Sequence, residues 1–81
     1  MKAQIYVTLK RTVLDPQGQT IQRALASMGH PEITAVRQGK FFEVELAEGL
    51  NADQARASLE KVAGDVLANP VIEEFRVELM E

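Results

Sequence analysis

Cysteine is absent from this sequence. No disulfide framework, no thiolate-bound metal and no thiol nucleophile can be built from it. Tryptophan is missing too, aromatic residues make up only 5% of the chain, and the single histidine is His30. A lone histidine in a Gly29-His30-Pro31 turn, with no nucleophile signature beside it, reads as a solvated loop residue rather than a base. Glycine is sparse: Gly18, Gly29, Gly39, Gly49 and Gly64 stand singly, so no glycine-rich loop can cradle phosphates. Ser27 and Ser58 fall within helical stretches, away from any strained nucleophile turn. No apolar run reaches membrane-spanning length, and Met1-Lys2-Ala3-Gln4 leads straight into a strand pattern. Neither a signal peptide nor a membrane segment is expected, and a soluble cytoplasmic chain is the simplest reading. A formal net charge of −3 argues against a surface made for nucleic-acid backbones.

At 81 residues the chain has room for one domain, spanning 1–81. A chain of this size buries only about 60–65% of its unfolded surface, and without disulfides or metal the obvious further source of burial is a second chain. The first stretch alternates. Ala3, Ile5, Val7 and Leu9 share one face, with Gln4, Tyr6 and Thr8 on the other, which predicts a strand. After the basic exit Lys10-Arg11-Thr12, Asp15 is placed to cap a helix and Pro16 to occupy its first turn. Ile21, Leu25 and Met28 make that helix's apolar stripe; Gly29 ends it and Pro31 prevents it from resuming.

Ile33 to Leu46 is extended and apolar-periodic, interrupted at Gln38-Gly39-Lys40, where Gly39 suggests a bulge or a turn. As one straight strand it would span roughly 46 Å, against a diameter of about 30 Å for a compact domain of this length. Either it reverses into a hairpin, or one end projects as an arm and pairs across a two-fold axis. Gln-Gly is a poor hairpin signal, so the arm is favoured, with Val36, Arg37, Gly39, Lys40 and Phe41 near the junction. A homodimer, or a dimer of dimers, is the expected state.

Asn51 with Gln54 three residues later is a capping box for a second helix, whose predicted inner stripe is Ala55, Leu59, Val62 and Val66. Ala57, Gly64 and Ala68 then fall on its outer face, where a glycine inside a helix invites a close approach by another chain. Asn69-Pro70 ends the helix, and Val71 to Leu79 reads as a last strand with Phe75, Val77 and Leu79 inward. The order β-α-β(β)-α-β predicts an α+β fold. Its form would be a two-layer, ferredoxin-like α/β sandwich with an antiparallel or mixed sheet and two helices on one face.

Candidate chemistry is thin. Glu43 and Glu45 share a strand face, as do Glu74 and Glu78, and paired carboxylates can hold a hard cation or exchange protons; a solvated sheet face is the simpler account. The same element order occurs in RNA-recognition modules, with Tyr6 and Phe41 available for stacking, but Lys40-Phe41-Phe42-Glu43-Val44 lacks their aromatic signature.

Four blocks carry a family resemblance: Tyr6-Val7-Thr8-Leu9-Lys10, Val13-Leu14-Asp15-Pro16-Gln17-Gly18, Val36-Arg37-Gln38-Gly39-Lys40 and Leu67-Ala68-Asn69-Pro70-Val71-Ile72-Glu73. In this order they resemble PurS, the small subunit of phosphoribosylformylglycinamidine synthase, along essentially the whole chain. The resemblance implies a subunit with no catalytic residues and no cofactor or metal of its own. Its partners would be a PurL synthetase subunit, which binds ATP and Mg, and a PurQ glutaminase subunit that releases ammonia from glutamine. The implied role is to bridge the two in purine biosynthesis. The alternatives from other classes are a free-standing dimeric ferredoxin-like sensor of small molecules and a small metal-dependent enzyme on the acidic sheet face.

Overall fold

The structure is a computed structural model that describes residues 1–80; Glu81, the last residue of the expected domain, lies outside the described residues. Its elements are β1 (Lys2–Leu9), α1 (Pro16–Ser27), β2 (Gly39–Glu45), α2 (Ala52–Val62), a π-helical turn (Ala63–Leu67) and β3 (Glu73–Met80). The three strands form one antiparallel sheet in the order β2-β1-β3. The α+β class and the antiparallel sheet agree with the sequence reading.

Alternation in β1 is expressed as expected. Ala3, Ile5 and Val7 are buried on the inner face, flanked by Phe42 and Val44 of β2 and by Val77 and Leu79 of β3. Leu59, Ala63 and Ala68 from the α2 region close over them. Asn51 caps α2 in a full capping box with Gln54: each side chain bonds the other residue's backbone N–H, at 2.8 and 3.2 Å.

The inner stripe of α2 differs from the predicted one. Ala55, Leu59 and Ala63 are buried, whereas Val62 is exposed and Val66 is 75% exposed. Ala55, Leu59 and Ala63 keep the regular four-residue step of an α-helix, with the Ala63 N–H on the Leu59 carbonyl; beyond Ala63 the cause is the π turn. The Ala68 N–H donates to the Ala63 carbonyl at 2.8 Å, a five-residue step that holds one residue more than an α turn. That extra residue rotates Ala68 into the core and Val66 out of it. Ala57, Gly64 and Ala68 therefore do not share an outer face: Ala57 is exposed, Ala68 is core, and Gly64 sits against the Phe75 ring.

Beyond the turn, Asn69 organises the entry to β3. Its side-chain oxygen accepts from the Val71 N–H at 3.0 Å, and its own N–H donates to Glu73 Oε1 at 2.7 Å. The Lys10 N–H and Nζ reach across to the Ile72 and Pro70 carbonyls. β3 accordingly starts at Glu73, two residues later than the expected Val71.

Helix α1 is the departure from a closed sandwich. Asp15 and Pro16 start it as expected, and Gly29, at φ +94°, ends it in a Schellman motif with His30 N–H on Leu25 O and Gly29 N–H on Ala26 O. Yet α1 contributes no side chain to the described core cluster, so only α2 covers the inner face. Ile21 and Met28 of the predicted stripe are exposed, Met28 by 73%, and Leu25 is half-buried. The molecule measures 51 × 27 × 14 Å with a radius of gyration of 16.1 Å, against about 12 Å for a compact chain of this length. Ile33 to Leu46 is not one continuous strand: β2 begins only at Gly39, and residues 33–38 run outside the sheet alongside α1.

Candidate interaction surfaces

One cluster of polar groups fixes the projecting arm to the sheet. Asp15, 4% exposed, uses both carboxylate oxygens: Oδ1 accepts from the Gly18 N–H at 2.9 Å, and Oδ2 accepts from the Gln38 N–H at 2.7 Å. The first bond caps α1; the second joins the helix start to the strand start. The Gln38 N–H, then the Gly18 N–H, hold the Asp15 carboxyl below its ordinary value, helped by the Arg37 charge and opposed by burial. Arg37 Nη2 lies 2.9 Å from the Lys10 carbonyl and 3.0 Å from that of Val13, so it gathers the β1–α1 connection. Gly18 packs directly against the Val36 carbonyl.

Val36, Arg37, Gly39, Lys40 and Phe41, expected at a contact between two chains, lie within the protomer where residues 33–38 lead into β2. Val36 presents its backbone to Gly18, and Gly39 opens β2 opposite Thr8. Gly39 is neither a bulge nor a hairpin turn but the first residue of the strand. Lys40 and Phe41 point to opposite faces. Lys40 is on the inner side, with Nζ 3.5 Å from Glu73 Oε2, and Phe41 is on the outer side against Tyr6. Between α1 and the arm runs an open cleft of about 320 Å³ whose walls include Gln19, Gln22, Arg23, Val36 and Arg37.

Among the described residues the helix packed on the sheet, α2, lies over the inner face and leaves the outer one open. In its middle row Tyr6 lies between Phe41 and Arg76: the two aromatic centroids are 5.1 Å apart, and the guanidinium carbon is 4.5 Å from the Tyr6 centroid. The carboxylates Glu43, Glu45, Glu74 and Glu78 surround this row. Among the described residues no group of three or more His, Asp or Glu side chains is placed to hold a metal ion. His30 is exposed and faces Glu32 at 3.4 Å.

A model of the family described as PurS, phosphoribosylformylglycinamidine (FGAM) synthase, matches residues 2–81. The chain belongs to the PurS family. It is 41% identical to the PurS subunit of phosphoribosylformylglycinamidine synthase of Mycobacterium leprae, over 94% of this chain and 91% of the relative. The structure of PurS from Bacillus subtilis superposes with a TM-score of 0.85 at 40% identity, covering 99% of this chain and 98% of that one. A chain in the structure of PurLQS from Thermotoga maritima gives a TM-score of 0.87 at 33% identity, covering 98% and 95%. These likenesses run end to end and favour the subunit reading over the free-standing sensor.

Within this PurS fold, the length of the middle segment anticipated that residues 33–38 leave the sheet, but two roles were missed. Sequence reasoning treated Asp15 as a helix cap, not as the tie between helix and strand, and it gave Gly18 no role beyond the helix start. Glycine at the third position of a helix, where it weakens the helix for no local gain, was the available signal.

Proposed function

We propose that this chain is the small, non-catalytic subunit of an FGAM synthase. It would bridge a PurL-type synthetase subunit and a PurQ-type glutaminase subunit, so that ammonia from glutamine reaches formylglycinamide ribonucleotide in an ATP-dependent step of purine biosynthesis. The observation that carries this reading is the end-to-end likeness to PurS chains, one of them from a structure of PurLQS. In this reading ATP and Mg belong to the large subunit, the small subunit holds no cofactor, and the complex works in the cytoplasm. No helix among the described residues is long and apolar enough to cross a membrane, which is compatible with that location. The chemistry of the chain supports a scaffold role: it has no thiol for glutamine hydrolysis and no phosphate loop for ATP. The test is reconstitution. Purified large and glutaminase subunits should show little glutamine-dependent synthesis until this chain is added, while the chain alone turns nothing over. Full glutamine-dependent activity without it would reject the bridging role.

The arm supports self-association as part of the same role. An isolated protomer leaves Ile21, Met28 and Leu14 uncovered on α1 and its approach, while the β2 side of the inner face carries only half-buried Phe42 and Val44. A second copy laying its α1 on that side of the sheet would cover both surfaces and supply the second helix of the sandwich. The expected result in sedimentation is a dimer or a dimer of dimers at micromolar concentration. Val36→Pro, placed where the arm's backbone touches Gly18, should shift that distribution toward monomer. A folded monomer for the unaltered chain would rule the arrangement out.

A further inference from the structure

The outer sheet face is not needed for the fold, for the arm or for the self-association just described, and its composition is not that of a plain solvated face. Tyrosine, phenylalanine and arginine, types enriched at protein–protein interfaces, meet in its central row. Three features make the trio ready-made. The Tyr6 hydroxyl is held by Gln4 Oε1 at 3.0 Å, the Phe41 ring leans on Tyr6 at 50°, and the Arg76 guanidinium covers the ring from the other strand. Little side-chain freedom is left to lose on contact, so burial of this row converts more fully into affinity. Phe41 is nonetheless 49% exposed.

Charge around the row selects the partner. The face carries four carboxylates against two cations, and both cations already lie near carboxylates of the same face: Lys2 at 3.9 Å from Glu45, Arg76 Nε at 3.5 Å from Glu78. Glu43 and Glu74, on opposite edge strands, are in none of the described ion pairs and leave the rim negative. Two copies brought face to face would set like-charged rims against each other, which disfavours this face as a contact between identical chains.

We infer that the Tyr6–Phe41–Arg76 row and its acidic rim form the docking surface for a partner subunit whose contact patch is apolar at the centre and ringed by lysine or arginine. The inference rests on the bridging role and adds to it the surface used and the charge of the surface met. Burying Phe41 supplies the apolar centre; Glu43 and Glu74 set orientation and speed the encounter.

The experiment compares the unaltered chain, the double variant Glu43→Lys/Glu74→Lys and Phe41→Ser for binding to purified large and glutaminase subunits at two salt concentrations. All three proteins are first checked for equal sedimentation and melting. The charge reversal should weaken binding to one partner at least tenfold and flatten its salt dependence. Phe41→Ser should weaken the same interaction and keep the salt dependence. Undiminished binding by both variants, with the unaltered chain bound, overturns the surface assignment and leaves the bridging role standing. A changed oligomeric state of the variants alone overturns it in favour of a second copy. No binding by the unaltered chain overturns the bridging role and this assignment with it.

Discussion

Replacing Gly18 by alanine is expected to destabilise the protein by about 1–3 kcal/mol, although an ordinary helical glycine-to-alanine change stabilises by about 1 kcal/mol. The reversal follows from position. A methyl group on Gly18 would overlap the Val36 carbonyl oxygen, and would sit 2.9 Å from Asp15 Oδ2 and 3.0 Å from the Val36 carbonyl carbon. None of these is the free end of a flexible side chain. Two are backbone atoms, and the third belongs to a carboxylate held by two hydrogen bonds. Relief therefore requires α1 to move away from the arm, which strains both Asp15 bonds. Gly64→Ala is the matched control: a methyl there meets only Phe75 Cε2, at 3.8 Å. Gly64→Ala should keep the usual sign and stabilise by up to about 1 kcal/mol. Thermal melts at one fixed protein concentration suffice, since any self-association makes the midpoint concentration-dependent. A stabilised Gly18→Ala protein would mean that helix and arm are not in contact.

The second large effect concerns acid. Asp15 is ionised at neutral pH and its folded carboxyl titrates below the ordinary 3.8, chiefly because the Gln38 and Gly18 N–H groups bond the charged form. For a depressed carboxyl the sign is fixed. Its contribution to stability is fully present above about pH 4 and is lost as pH falls through the lower folded value. The Asp15→Asn protein should lose part of that contribution at every pH above this window. Asparagine can still cap α1 through its one carbonyl oxygen, but its NH2 group would face the Gln38 N–H, donor against donor. We therefore expect a lower neutral-pH melting point for Asp15→Asn and a gap to the parent chain that narrows below pH 4. Faster amide exchange should appear at Gln38 before it appears within α1. A gap that stayed constant down to pH 2 would show that the carboxylate charge is not what holds the arm.

Where the sequence was legible, a local rule and the tertiary structure agreed. Ala3-Ile5-Val7 alternates because one face of β1 packs under α2, and Asn51 with Gln54 announces a helix start whatever follows. The apolar stripe of α2 was readable as far as Leu59 and failed at Val62, because the helix takes a second four-residue step to Ala63, and a π turn that no α-helical period anticipates then carries the inward position to Ala68. For α1 the period was right, but its burial partner was not in the chain's own core. Exposed Ile21 and Met28 are correct as pattern and unmet as packing. The arm was inferred from length alone, and a length is one of the few tertiary facts a sequence states directly. The second oxygen of Asp15 and the bare Cα of Gly18 answer to Gln38 and Val36, about twenty residues further along, and no local signal carries such a distance.

The strand order has a consequence for how the protein is made. β1 is the central strand, yet it is synthesised before both of its neighbours, and both are remote: Thr8 pairs with Gly39, and Leu9 with Glu73. At about 5–20 residues per second, the interval between synthesis of Leu9 and of Glu73 lasts roughly 3–13 s. Throughout that time the alternating Ala3-Ile5-Val7 segment has at least one open edge and no complete layer above it. Sheet closure is therefore a late event governed by long loops, and slow for a chain of this size. Nascent chains should depend on holding chaperones more than their small final size suggests. Linking the β1 segment after β3 by circular permutation would bring one pair of neighbours together in the chain and shorten that exposed interval.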